Sequence, residues 1–197
     1  MPMNSVISIM IRGIGGQGVK LAGTVIGQAA VYDGHYAIQS MRYGSAITGG
    51  ETRSEIKVSG EPIIYPRITS IDLYVALTQD DLENYYKANL YMADSSVIQE
   101  IPKKIEDDLI RVPVIKSAEQ LGNTQVANMV LIGVLVQLFD LATPESVIKA
   151  IKELTPEKFH EIDIQAFNLG LEMDLLEFNS KKLIKRARDC KLVCEMP

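Results

Sequence analysis

Residues 13–18 read Gly-Ile-Gly-Gly-Gln-Gly, so that Gly13, Gly15 and Gly18 have the spacing G-x-G-x-x-G. An apolar, β-branched run precedes them and a helical pattern follows. A turn of this kind suits a phosphate. Glycine permits a sharp bend and clears side chains from the approach to the backbone, while the helix behind it offers unpaired N–H groups and the positive end of its dipole. The same glycines would also let a first helix pack close to a sheet, with no ligand at all. A nicotinamide dinucleotide requires a carboxylate about 20 residues on, at the end of the second strand, for the ribose hydroxyls. Residues 38–42 are Ile-Gln-Ser-Met-Arg and Asp33 comes too early, so the acid is missing and Arg42 stands nearby. An arginine there suits an additional phosphate, as on NADP or the 3′-phosphate of coenzyme A, or is a solvated surface charge.

To hold such a turn the chain needs a strand over 6–12, a helix over 17–32 and a second strand over 36–41. Together they make a βαβ unit with a right-handed crossover. Val19, Leu21, Ala22, Val25, Ile26 and Ala29 recur at helical spacing before the break at 33–35. Residues 43–51 form a glycine-rich loop. Over 52–60, Ser54, Ile56 and Val58 alternate with Arg53, Glu55 and Lys57, which predicts a strand with one face more exposed. Pro62 and Pro66 imply a turn and an edge segment. Further strands are predicted over 72–78, 89–94 and 110–115, with a helix starting near Gln79.

Residues 123–139 are apolar nearly all round and predict a buried or interface helix. Thr143-Pro144-Glu145 and Thr155-Pro156-Glu157 each resemble an N-cap followed by proline at the first helical position. Residues 181–191 are basic and read as a tail or docking helix. The fold class is α/β: a Rossmann-like βαβ start, a mostly parallel or mixed sheet and a helical C-terminal part. One domain is expected over 1–178, followed by a segment over 179–197.

The 197 residues are 47% hydrophobic, which suits one domain with a substantial core, and the net charge of −5 argues against non-specific nucleic-acid binding. No apolar run is long enough to span a bilayer, so a cytoplasmic location is expected. Cys190 and Cys194 lack the spacing of zinc or iron–sulfur motifs, and His35 and His160 are the only histidines, so no metal site is expected. His160 has no nucleophile near it in sequence and reads as structural. Glu106, Asp107 and Asp108 read as a solvated loop. Tyr85, Tyr86 and Tyr91 either stack on a base or line an interface or core edge.

Four motifs taken together resemble one family. They are GIGGQGVKLAGTVIGQAA (13–30), YGSAITGGETRSEIKVSGEPIIYP (43–66), LGNTQVANMVLIGVL (121–135) and IQAFNLGLE (164–172). In this order they are similar to the gamma subunit of 2-oxoacid:ferredoxin oxidoreductases, an internal domain in single-chain pyruvate:ferredoxin oxidoreductase. The GGxxRSEI and SxEPIxYP details look most like the 2-oxoglutarate branch, and indolepyruvate enzymes have a related subunit.

The resemblance implies oxidative decarboxylation of a 2-oxoacid to an acyl-CoA and carbon dioxide, with reduction of ferredoxin. Thiamine diphosphate, Mg²⁺ and iron–sulfur clusters are then expected on partner chains, and the isolated chain is expected to be inactive. Partners implied are alpha and beta subunits, a ferredoxin-like delta subunit, and ferredoxin through the complex; alone, the chain could form a homodimer. Its task would be to help hold coenzyme A and complete the cleft. Gly13, Gly15, Gly16, Gln17 and Gly18 would form the phosphate turn, with Tyr43, Gly44, Thr48, Gly49 and Gly50 as a second wall. Arg53, then Arg42, would supply the cation. Asn123 and Asn128 are either polar contacts or caps and satisfied amides. Thr48 stands where the family usually has a basic residue, so the cation must come from Arg53, Arg42 or a partner, or coenzyme A is bound weakly. Two further readings are a stand-alone NADP-binding reductase domain and a purely structural assembly subunit.

Overall fold

The computed structural model describes residues 6–44 and 50–189. Thr48, Gly49, Cys190 and Cys194 lie outside the described residues. Strands β1 (Val6–Ile14), β2 (Tyr36–Tyr43), β3 (Glu51–Ser59), β4 (Leu73–Ala76), β5 (Leu90–Asp94) and β6 (Leu109–Val112) form one sheet of order β2-β3-β1-β4-β5-β6. Helix α1 (Val19–Tyr32) links β1 to β2. The expected βαβ unit is split, because β3 lies between β1 and β2 and runs antiparallel to both. The cause is local: β2 and β3 pair as a hairpin, and β3 then satisfies the whole length of β1, from Val6↔Ser59 to Ile14↔Glu51. On the other side β1, β4, β5 and β6 are parallel.

One face of the sheet is packed by helices. Ile7, Ile9, Ile11, Ile56, Val58, Leu73, Val75 and Met92 join the core that α1 and the C-terminal helices complete. On the other face, Met10, Tyr74, Tyr91 and Ala93 meet Ile71, Ile98, Ile105 and Leu82, the last from the short helix α2 (Gln79–Glu83). This second cover buries the alternate face of β3, which the sequence pattern gives as the more exposed one. Arg53 is 8% exposed and Lys57 9%. Lys57 lies buried along its aliphatic stem while its Nζ donates to the Tyr65 carbonyl at 2.9 Å.

The helical layer comprises α3 (Val114–Gln120), α4 (Ala127–Phe139), α5 (Pro144–Leu154), α6 (His160–Leu171) and α7 (Lys181–Asp189). The predicted strand over 110–115 ends at Val112. Val114 and Ile115 are β-branched and read as strand, but Pro113 caps α3 in front of them. Helix α4 is buried nearly all round by its own chain, chiefly by α6. The two approach backbone to backbone, since a Cβ on Gly133 would fall 2.2 Å from the Phe167 carbonyl oxygen and one on Gly170 2.0 Å from that of Val130.

Thr143 caps α5 as expected, its hydroxyl accepting the Ser146 N–H at 3.3 Å. Thr155 does not repeat this. It closes α5, donating to the Ile151 carbonyl at 3.0 Å, and a 3-10 turn (Glu157–Phe159) leads into α6. The basic segment docks on its own core through Leu183, Ile184 and Ala187, and Arg186 pairs with Asp108. His160 Nε2 lies 2.9 Å from the Thr155 carbonyl and closes a turn. No helix among the described residues is long and apolar enough to cross a membrane.

Candidate functional site

The glycine turn lies at the C-terminal end of β1, where parallel sheets commonly present ligands. Gly16 and Gly18 have φ of +100° and +70°, values that L side chains rarely adopt. Gly18 also caps α1 without a side-chain bond, and a Cβ there would lie 2.4 Å from Asn128 Nδ2. Gln17, expected as a ligand donor, is spent on the turn itself. Its Oε1 accepts the Ile14 N–H at 2.8 Å and its Nε2 donates to the Leu77 carbonyl at 3.4 Å. Gly13 lies under that side chain, with no room for a Cβ beside Gln17 Oε1. The Gly15 N–H donates to the Gly50 carbonyl at 3.1 Å, and the Gly44 N–H to that of Glu51 at 2.7 Å, so both ends of the glycine-rich loop are anchored next to the turn. The amides of Gly16, Gly18, Val19, Lys20 and Leu21 take no acceptor among the described residues.

Two clefts meet at Gly16. One, of about 320 Å³, runs between the ends of β4 and β5 and the start of α4, lined by Gln17, Leu77, Asp94, Thr124, Asn128 and Leu131 among others. Asn128 is buried, and its side-chain amide has no hydrogen-bond partner among the described residues. Asn123, in contrast, accepts the Gln125 N–H at 2.9 Å and caps the 3-10 turn Thr124–Val126. The other cleft, of about 530 Å³, is bounded by Gly15, Gly18, Lys20, Tyr43, Thr52 and Leu154 among others. Lys20 is the cation in this setting, and the motif alone does not single it out. A signal existed, because a lysine in the first turn of a helix opposes the dipole unless an anion binds there.

Arg42 and Arg53 are brought together but not to the glycine turn. They pair across β2 and β3, and Arg53 pairs in turn with Arg12 on β1, so three arginines form a row on the face away from α1. Arg12 is fixed by its neighbours: its Nη1 donates to Tyr74 Oη at 3.2 Å and to the Asn84 carbonyl at 2.7 Å, and it pairs with Glu51 at 3.0 Å and Asp81 at 3.4 Å. Burial opposes its charge, yet Tyr74, Asp81 and Glu51 outweigh that and hold its pKa above the ordinary value. Burial pushes the Asp81 carboxyl up, against the pull of Thr78 and Arg12. Tyr85 and Tyr91 meet edge to face at a core margin, while the Tyr86 ring faces the Arg53 guanidinium at 5.1 Å.

A split α/β sheet with this turn at the end of its first strand has clear relatives. Residues 8–173 match the pyruvate ferredoxin/flavodoxin oxidoreductase family. The chain belongs to that family. It is similar to the 2-oxoglutarate synthase subunit KorC of Methanothermobacter marburgensis, 39% identical over 176 residues that cover 84% of this chain and 95% of the relative. Among solved structures it resembles the gamma subunit of a keto/oxoacid ferredoxin oxidoreductase from Geobacter sulfurreducens PCA. The TM-score is 0.76 at 32% identity, covering 88% of this chain and 98% of that one. It also shares its fold with part of the 2-oxoglutarate:ferredoxin oxidoreductase of Magnetococcus marinus, solved with 2-oxoglutarate, coenzyme A and succinyl-CoA bound. That match has a TM-score of 0.74 at 19% identity, covering 89% of this chain and 32% of that one.

Proposed function

We propose that the chain is the gamma subunit of a 2-oxoglutarate:ferredoxin oxidoreductase, and that it helps hold coenzyme A while partner chains carry out the oxidative decarboxylation. The similarity to KorC, over 84% of this chain and 95% of the relative, carries this reading. Thiamine diphosphate and iron–sulfur clusters supply the carbon and electron chemistry of such an enzyme, and both are assigned to the alpha, beta and ferredoxin-like delta partners.

The residues at the turn fit the anionic part of coenzyme A. The free amides of Gly16, Gly18, Val19, Lys20 and Leu21 would face its pyrophosphate, Lys20 would add a positive charge, and Asn128 would supply a neutral donor. The predominantly apolar walls suit the uncharged arm of the carrier. The chain would thus orient the thiol carrier and exclude water from one side of the cleft. The partners would cover the apolar segment near 62–66, where Ile64 is 96% exposed and Tyr65 56%.

Reconstitution tests the assignment. Adding the chain to its partner subunits should restore ferredoxin reduction that depends on 2-oxoglutarate and coenzyme A. Lys20→Glu, with the complex intact, should raise the KM for coenzyme A about tenfold through loss of a charge-assisted contact. An unchanged KM would remove coenzyme A from the glycine turn. Calorimetry in which NADPH alone bound would favour the reductase reading.

A further inference from the structure

The face of the sheet away from α1 carries an arrangement that the proposed function leaves unused. Two adjoining cavities, of about 400 and 240 Å³, share Arg42, Arg53 and Tyr86, and the larger also reaches Arg67 and Lys87. Four cations therefore line one space in a chain whose net charge is −5. The carboxylates that reach it are already engaged, Glu55 with Arg53 at 3.0 Å and Glu51 with Arg12 at 3.0 Å. Arg42, Arg67 and Lys87 form no ion pair among the described residues.

Arg53 is the informative group. It is 8% exposed, its Nη2 faces Glu55, its Nε is buried without a hydrogen-bond partner, and its Nη1 donates to nothing among the described residues. A buried guanidinium with idle donors is costly, and like charges around a shared recess repel one another. An oxyanion entering the recess relieves both.

We propose that this pocket binds a small phosphate-bearing ligand, with Arg53 at its floor and Arg67 and Lys87 at its rim. A phosphate monoester brings about two negative charges and three strong acceptor oxygens, which matches several unpaired cations better than a single carboxylate does. Tyr86, 43% exposed with its ring centroid 5.1 Å from the Arg53 guanidinium carbon, offers a ring surface to the rest of the ligand. Neither cavity is lined by residues of the glycine turn, although the smaller one shares Tyr43 with the cleft beside that turn.

The probe is inorganic phosphate, titrated at constant ionic strength into the ¹⁵N-labelled full chain while the arginine Nε–H resonances are followed. The Arg53 signal should shift saturably. The signal of Arg12, whose Nε is equally buried but lies beside Asp81, should stay in place. The rim variant R67Q/K87Q, with its amide spectrum otherwise unchanged, should bind phosphate at least about threefold more weakly. An Arg53 shift that never saturates, that chloride reproduces, or that the rim variant leaves unchanged would overturn the proposal. So would phosphate binding by the isolated chain that disappears in the assembled enzyme, since a partner's acid would then fill the recess.

Discussion

Arg12 shows how much a single side chain can fix at the site. It ties the C-terminal end of β1 to Glu51, the first residue of β3, and to Asp81 and the Asn84 carbonyl at α2. Removing one member of a buried ion pair leaves the other charge without compensation. Arg12→Ala should therefore cost about 3 kcal/mol in urea unfolding at neutral pH. The double variant Arg12→Ala/Asp81→Asn should recover part of that loss, because no carboxylate then remains to be buried. Equal stabilities for the single and double variants would mean that Asp81 is not the stranded group.

At the scale of elements, two junctions decide how the helices lie. Asp33, at the end of α1, accepts the Thr143 N–H and the hydroxyls of Thr143 and Ser146, joining α1 to the start of α5. Partial burial opposes its charge, but the hydrogen bonds from Ser146 and Thr143, with help from His35, pull the carboxyl below its usual range. A lowered folded-state pKa means that the carboxylate stabilises the fold above its ordinary pKa, and that this stability is lost as pH falls through the lowered value. Asp33→Ala should cost about 1 kcal/mol at pH 7, and its difference from the unaltered protein should shrink steadily in acid. A pH-independent difference would assign the effect to packing alone. The second junction is the contact of α4 with α6. Gly170→Ala should cost about 3 kcal/mol or more, since the added methyl meets a backbone carbonyl that cannot yield without parting the helices. Thermal unfolding measures it directly.

For the whole molecule, the helical layer is complete within the chain, and α4 is covered by α6 instead of waiting for a partner. What stands out is the segment after β3, with Ile64 almost fully exposed. Ile64→Asp should leave the unfolding midpoint of the isolated chain within about 0.5 kcal/mol of the original, as exposed substitutions usually do. It should also weaken assembly with the partner subunits by about tenfold, if Ile64 anchors the contact as buried interface residues do. Sedimentation of the mixed subunits distinguishes the two effects, and undiminished assembly would move the interface elsewhere.

The strands and helices themselves were legible in the sequence, because hydrophobic period and turn residues act locally. The apolar run over 6–12, the glycine turn and the alternation over 52–60 all became the elements expected of them. The α3 start and the closing role of Thr155 were not legible, because β-branched residues and a Thr-Pro pair are each compatible with two local structures. The tertiary structure alone decided that β3 separates β1 from β2, because strand pairing depends on which edge a returning hairpin can satisfy. That one placement buried the charged face of β3 and aligned Arg42 and Arg53 with Arg12, in cavities other than the two clefts at the glycine turn. Helix packing that no local pattern encodes likewise brought Asn128, from the start of α4, beside the turn.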